Sequence, residues 1–291
     1  MRVIITGHQG QLVRQLQAAF AGHEVLGLDL PADDITTPAI IGRIAGFRPD
    51  LIVHAAAYTN VDGCEQDPEL AFRVNAVGTQ MVALAAQRAG AALVHVSTNE
   101  VFDGTRRDLY REWDQPNPIS VYARSKAAGE RIVRDLLDRF YIVRIAWLFG
   151  PGGLNFVTKI LNAAEKNGAL RVAADEFGNP TYAPDLAAAI ARLAATGAFG
   201  IYHLTNGGFC SRYEFAREIV RLAGYSDLPV APILSADWPR PSRPPLHAVL
   251  ANTAGAALGI TLRPWQEALA EYVAWLRSDT MTRPANDARG S

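Results

Sequence analysis

The feature that most restricts this chain is the rhythm of its first 150 residues. Short runs apolar on both faces, such as Val3–Thr6 and Leu51–His54, alternate with segments of helical period. A strand whose two faces are both apolar must be covered on both sides. Strand–helix–strand repetition supplies that cover only as a parallel sheet with helices on each face. Strands are expected at Val3–Thr6, Glu24–Leu28, Leu51–His54, Leu93–Ser97 and Tyr141–Ile145. Helices are expected after Gly7, over Ala39–Ala45, Glu69–Arg88 and Val121–Leu137. The fold class is therefore α/β, a Rossmann-type doubly wound parallel sheet over residues 1–150.

After Gly150 the rhythm loosens. Helices are expected at Asn155–Asn167, Pro184–Ala195 and Ser211–Ala223, the last capped by Ser211. Leu170–Ala173 and Gly200–Leu204 read as further strands, so 170–205 is expected to return to the sheet. The rest of 151–277 reads as a smaller substrate-binding lobe. Pro229–Pro245 is too proline-rich for helix or central strand and reads as a functional loop. A last helix over about Trp265–Leu276 is expected to be core, followed by a disordered polar tail, 278–291.

Composition excludes several function classes. With a net charge of -1 there is no basic field to attract nucleic acid or an anionic membrane. No run is long enough to span a bilayer, and the N-terminus has no leader-like stretch, so a cytoplasmic protein is expected. Cys64 and Cys210 are the two cysteines. They read as buried thiols in a reducing compartment, and no spacing suggests a metal site.

Three features point to chemistry. Thr6-Gly7-His8-Gln9-Gly10 sits where the first strand meets the first helix. Small residues there admit a pyrophosphate to the backbone, and the helix N-terminus offers free N–H groups. Asp29 ends the second strand and is placed to accept hydrogen bonds from an adenosine ribose, which favours NADH; Asp34 and Ile35 are then candidates for the adenine pocket. Ala55, Ala56 and Ala57, at the end of the third strand, leave room for a flat ligand. Secondly, Tyr122 and Lys126 lie one helical turn apart on one face, where an ammonium can lower the tyrosine pKa and hold ribose hydroxyls. Thirdly, Thr98 ends the fourth strand and can hydrogen-bond a carbonyl beside the tyrosine.

The stretches ITGHQGQL, VSTNEVFDG, YARSKAAGE, RIAWLFGPGGLNF and GNPTYAPDLA, in this order, resemble extended short-chain dehydrogenase/reductases, and within them the dTDP-4-dehydrorhamnose reductases. The resemblance implies that Gly7, Gly10, Gln11 and Leu12 bind the diphosphate of NADPH or NADH. It implies that Asp34 and Ile35 flank the adenine, and that Ala55, Ala56, Ala57 and Tyr58 line the dinucleotide with Asn75 nearby. Thr98, Tyr122 and Lys126 would form the catalytic set. Trp147 would lie against the sugar of a dTDP-sugar substrate, and Asn155 and Arg243 would help hold its nucleotide diphosphate.

The sequence departs from this family where Asp-Tyr usually follows the catalytic Thr. Here the pair is Asn99-Glu100, expected near the sugar, which leaves the identity of the 4-keto-6-deoxysugar open. Two other readings stand beside reduction of a C4 ketone. One is a non-catalytic regulatory subunit, as in the methionine adenosyltransferase beta subunit. The other is a nucleotide-sugar epimerase or dehydratase, for which Glu100 would be an acid/base group. Partners beyond the substrate are not legible, and a homodimer is an open expectation.

Overall fold

The computed structural model describes residues 1–7 and 9–282. Its centre is a six-stranded parallel sheet. Across it, the strands run Gly200–His203, Phe140–Ile145, Ala92–Thr98, Leu51–His54, Arg2–Thr6 and Glu24–Leu28. The first strand pairs with the second on one side (Ile4 opposite Leu26) and with the third on the other (Ile4 opposite Ile52). The chain therefore reverses its direction of travel across the sheet beside Arg2–Thr6. A crevice opens at such a switch point, at the carboxyl ends of the strands.

Both faces of the sheet are buried, for the reason the apolar runs suggest. On one face Val3, Ile5 and Val53 pack with Leu12, Leu16, Leu186 and Ile190 from the helices Gln11–Ala19 and Ala183–Thr196. On the other, Ile4, Ile52 and Leu93 meet Ile40, Ile44, Val82 and Ala86. Alternate residues of one strand thus feed two separate cores. A third core lies outside the sheet, where Phe149, Ile160, Phe215, Trp265, Leu269 and Tyr272 cluster. Cys64 and Cys210 are buried free thiols. No helix among the described residues is long and apolar enough to cross a membrane.

Several elements differ from expectation. The long helix expected over Glu69–Arg88 is broken into Pro68–Phe72, a π-helical turn Arg73–Gly78, and Thr79–Ala89. The wide turn swings the Asn75 amide onto Tyr58, receiving its N–H (2.8 Å) and donating to its C=O (3.1 Å). Leu170–Ala173 does not return to the main sheet; it pairs in parallel with Val230–Ile233. That second strand lies inside the proline-rich segment, where no central strand is expected. Pro232 is tolerated because a two-stranded sheet leaves each strand an open edge where no N–H is required. The last helix spans Trp265–Thr282, past both the expected end at Leu276 and the start of the expected disordered tail at 278. Its inner face docks on the third core, and each further residue adds a helical hydrogen bond at little cost. Residues 283–291 of the expected tail lie outside the described residues.

Candidate active site

A cleft of ≈ 1820 Å³ follows the carboxyl ends of the sheet strands and continues between the sheet and the third core. One end is built by the glycine loop. Gly7 has φ +78, and a Cβ there would come within 2.9 Å of the Ala56 backbone. Only glycine fits where the first and third strands bring their loops together. The Gly10 N–H bonds to Gly7 C=O (2.8 Å), closing the turn. Gly10 caps the Gln11–Ala19 helix without a side chain, leaving the helix N-terminus facing the cleft. Gly7, Gly10, Gln11, Leu12, Asp29, Asp34, Ile35, Ala55, Ala56 and Ala57 all line it.

Gly7→Ala should therefore be damaging. The left-handed backbone costs a non-glycine residue about 1–2 kcal/mol, and the methyl group strikes the Ala56 backbone. We expect dinucleotide affinity to fall about tenfold or more in a fluorescence titration, with a lower melting temperature. Unchanged affinity would remove the glycine loop from the binding site.

The Asp29 carboxylate is already engaged, receiving the N–H groups of Gln9 (2.7 Å) and Leu30 (2.8 Å). It braces the glycine loop while lining the cleft. Asp34 makes a local turn, receiving Thr36 N–H and hydroxyl at 2.8 Å each. Asp29, Asp33 and Asp34 together make this rim acidic, and Arg43 is paired with Asp33 at 3.2 Å.

At mid-cleft the three catalytic candidates converge. Ser120 caps the Val121–Leu136 helix, which places Tyr122 and Lys126 one turn apart beneath the end of the fourth strand. Lys126 Nζ donates to Val96 C=O (2.8 Å), and the Tyr122 hydroxyl lies near that of Thr98. Burial pushes Lys126 down to about 8, opposed by the charge of Glu130, so the ammonium still prevails at neutral pH. The tyrosine does not follow the expectation of a lowered pKa. Burial raises it above the ordinary phenol value, Glu100 adds to the rise, and the nearby Thr98 hydroxyl only partly offsets them. Its hydroxyl therefore holds its proton at neutral pH.

Other candidates fall differently. Tyr58 and Asn75 do not line the cleft. Asn75 instead braces the catalytic helix, donating to Ser125 Oγ (2.9 Å), which in turn donates to Tyr122 C=O (2.7 Å). Asn155 is likewise withdrawn from the cleft. It caps the Phe156–Lys166 helix in a reciprocal capping box and donates to Tyr272 Oη (3.1 Å), so the structure uses it as a joint of the second lobe and not as a diphosphate ligand. Asn99 reaches the cleft wall, but its amide donates to Ala248 C=O (2.9 Å). Trp147 and Arg243 both line the cleft.

The far end holds groups that sequence reasoning missed. Lys159, Arg171, Arg212 and Arg240 join Arg243 on the cleft wall. Arg212 lies 3.7 Å over the Trp147 ring and pairs with Glu176 at 3.7 Å. Arg240 and Ser242 are fastened across the cleft to Asp62, with Arg240 at 3.2 Å. No spacing rule could gather these cations, since they come from four separate segments. Such a cluster suits a ligand with two phosphates.

Glycine loop, doubly wound sheet and a Thr–Tyr–Lys set over one cleft define the scaffold of a short-chain dehydrogenase/reductase. Residues 1–278 match the family described as RmlD substrate binding domain, and the chain belongs to that family. It is 38% identical over 275 residues to the spore coat polysaccharide biosynthesis protein SpsK of Bacillus subtilis, covering 94% of this chain and 96% of that one. It is 40% identical over 282 residues to the dTDP-4-dehydrorhamnose reductase of Mycobacterium tuberculosis, covering 94% and 92%. The crystal structure of the Bacillus anthracis dTDP-4-dehydrorhamnose reductase in complex with NADP superposes with a TM-score of 0.89 at 36% identity, covering 94% of this chain and 99% of that one.

Proposed function

We propose that this protein is an NAD(P)H-dependent reductase of the C4 ketone in a dTDP-4-keto-6-deoxysugar. The observation that carries the reading is the meeting of Thr98, Tyr122 and Lys126 in mid-cleft, between a glycine-loop end and a cationic end. The two ends match the two halves of the ternary complex, a dinucleotide on one side and a nucleotide-sugar diphosphate on the other. The relatives named as dTDP-4-dehydrorhamnose reductases support the substrate class.

When bound, the reduced nicotinamide supplies the hydride that C4 receives. The chain's own residues deal with the oxygen. Thr98 holds the ketone oxygen beside Tyr122. Tyr122, protonated at neutral pH, gives its proton to that oxygen as negative charge develops there. Lys126 keeps a positive charge one turn away and stabilises the phenolate left behind. The sum is ketone plus NAD(P)H plus one proton giving alcohol plus NAD(P)⁺. The regulatory-subunit reading is disfavoured because all three groups are present and assembled.

The acidic rim at Asp29, Asp33 and Asp34 supports NADH as the preferred donor, since a 2′-phosphate would meet carboxylates there. Asp29→Ala should narrow the NADH-over-NADPH preference by about tenfold. An unchanged ratio of kcat/KM values would remove Asp29 from cofactor choice. The function itself is tested by mixing the protein with NADH or NADPH and dTDP-4-keto-6-deoxyhexoses while following reduced-nicotinamide absorbance. No consumption with any of them would refute the reading.

A further inference from the structure

Resting on that function, we propose that Glu100 selects the sugar by accepting a hydrogen bond from the ring hydroxyl next to the ketone, the C3 hydroxyl. Glu100 lines the cleft two residues beyond Thr98. One of its carboxylate oxygens, Oε2, is withdrawn from solvent and has no hydrogen-bond partner within the protein. Leaving such an acceptor unmatched is costly, so a ligand that brings a donor there is favoured over one that does not.

The position of Glu100 decides which donor it meets. Its backbone N–H donates to Thr98 Oγ1 (3.2 Å), and it lines the cleft together with Thr98 and Tyr122, beside the place where the ketone is held. A ketone oxygen held at Tyr122 and Thr98 therefore places a neighbouring ring substituent at Glu100. In a 4-keto-6-deoxyhexose the carbons flanking the ketone are C3, with a hydroxyl, and C5, with a methyl group and the ring oxygen. Of these substituents only the C3 hydroxyl can donate. Burial raises the Glu100 carboxyl to about 7, against the pull of Arg212 and Arg240 and with the help of Glu176. These two cations balance the carboxylates, so Glu100 can sit beside an anionic nucleotide sugar without net repulsion. The usual tyrosine of the family at this place could not accept in the same way.

The test compares a dTDP-4-keto-6-deoxyhexose carrying the C3 hydroxyl with its 3-deoxy analogue, in the full-length protein and in Glu100→Gln and Glu100→Ala. The wild type should prefer the hydroxylated sugar by about 100-fold or more in kcat/KM, as sites built around a substrate hydroxyl do. Glu100→Ala should reduce that ratio to within about fivefold. Glu100→Gln keeps an acceptor oxygen and should fall between the two. A wild type indifferent to the C3 hydroxyl, or an alanine variant with an unaltered ratio, would overturn the proposal. Calorimetric binding of the two dTDP-sugars supplies a second readout. If the wild type reduces neither sugar, the function proposed above fails. Glu100 is still judged in that case by whether the binding preference for the hydroxylated sugar is present in the wild type and lost in Glu100→Ala.

Discussion

Replacing Tyr122 by Phe is expected to lower kcat by about 10³-fold, the range for loss of a positioned general acid, while dinucleotide affinity stays within about threefold. Phe keeps the ring and its packing against Cys64 and Val121 in the small core around the catalytic helix. What it removes is the hydroxyl that Thr98 contacts. Because burial keeps this phenol protonated, the loss should appear in the chemical step. Single-turnover decay of reduced-nicotinamide absorbance, paired with a cofactor titration, separates the two quantities. A variant that turns over at the wild-type rate would show that the proton comes from elsewhere.

The second large effect is on stability. Glu130→Ala is expected to cost about 3–5 kcal/mol, because it strands a buried guanidinium. Arg144 is 1% exposed and donates to Glu130 through Nη2 at 2.7 Å and through Nε at 2.9 Å. Ser97 donates to the same carboxylate at 2.6 Å. Two strands of the sheet, carrying Ser97 and Arg144, therefore converge on one carboxylate of the catalytic helix, in the turn after Lys126. The melting temperature should drop by on the order of 10 °C. Changing both partners together, Glu130→Leu with Arg144→Met, should cost less than Glu130→Ala alone, since no charge is then left unpaired. Equal losses would mean that packing, and not the stranded charge, dominates. Glu130 also holds the Lys126 ammonium up electrostatically, so the single variant should weaken the catalytic helix in function as well as in stability.

Much of the sheet was legible because burial on both faces leaves a local mark. Leu51–His54 is completely buried, and its sequence is correspondingly apolar. The Ser211 cap was legible for a similar reason, and in the structure it receives the Glu214 N–H while the Glu214 side chain receives the Ser211 N–H. The Tyr122–Lys126 spacing likewise fixes a shared helix face wherever the helix goes. The π-helical turn at Arg73–Gly78 was not legible, because it goes with a contact between Asn75 and Tyr58, seventeen positions away. Nor was the pairing of Leu170–Ala173 with Val230–Ile233, since a strand of four residues carries no mark of its partner.

The catalytic candidates show the same division. Sequence alone determined that a glycine turn, a strand-end threonine and a Tyr–Lys pair occur in the order a reductase needs, because each depends on neighbours within a turn or a strand. It could not tell that Asn155 faces Tyr272, that Asn99 faces Ala248, or that burial and the charge of Glu100 hold the proton on Tyr122. Those outcomes depend on residues brought close only by the fold. Only the tertiary structure gathers Arg212, Arg240 and Glu176 around Glu100, from segments far apart along the chain. Hydrogen bonds and charges act through space over a few ångströms, whereas periodicity and capping act along the chain, so the backbone scaffold was readable and the environment of its acids was not.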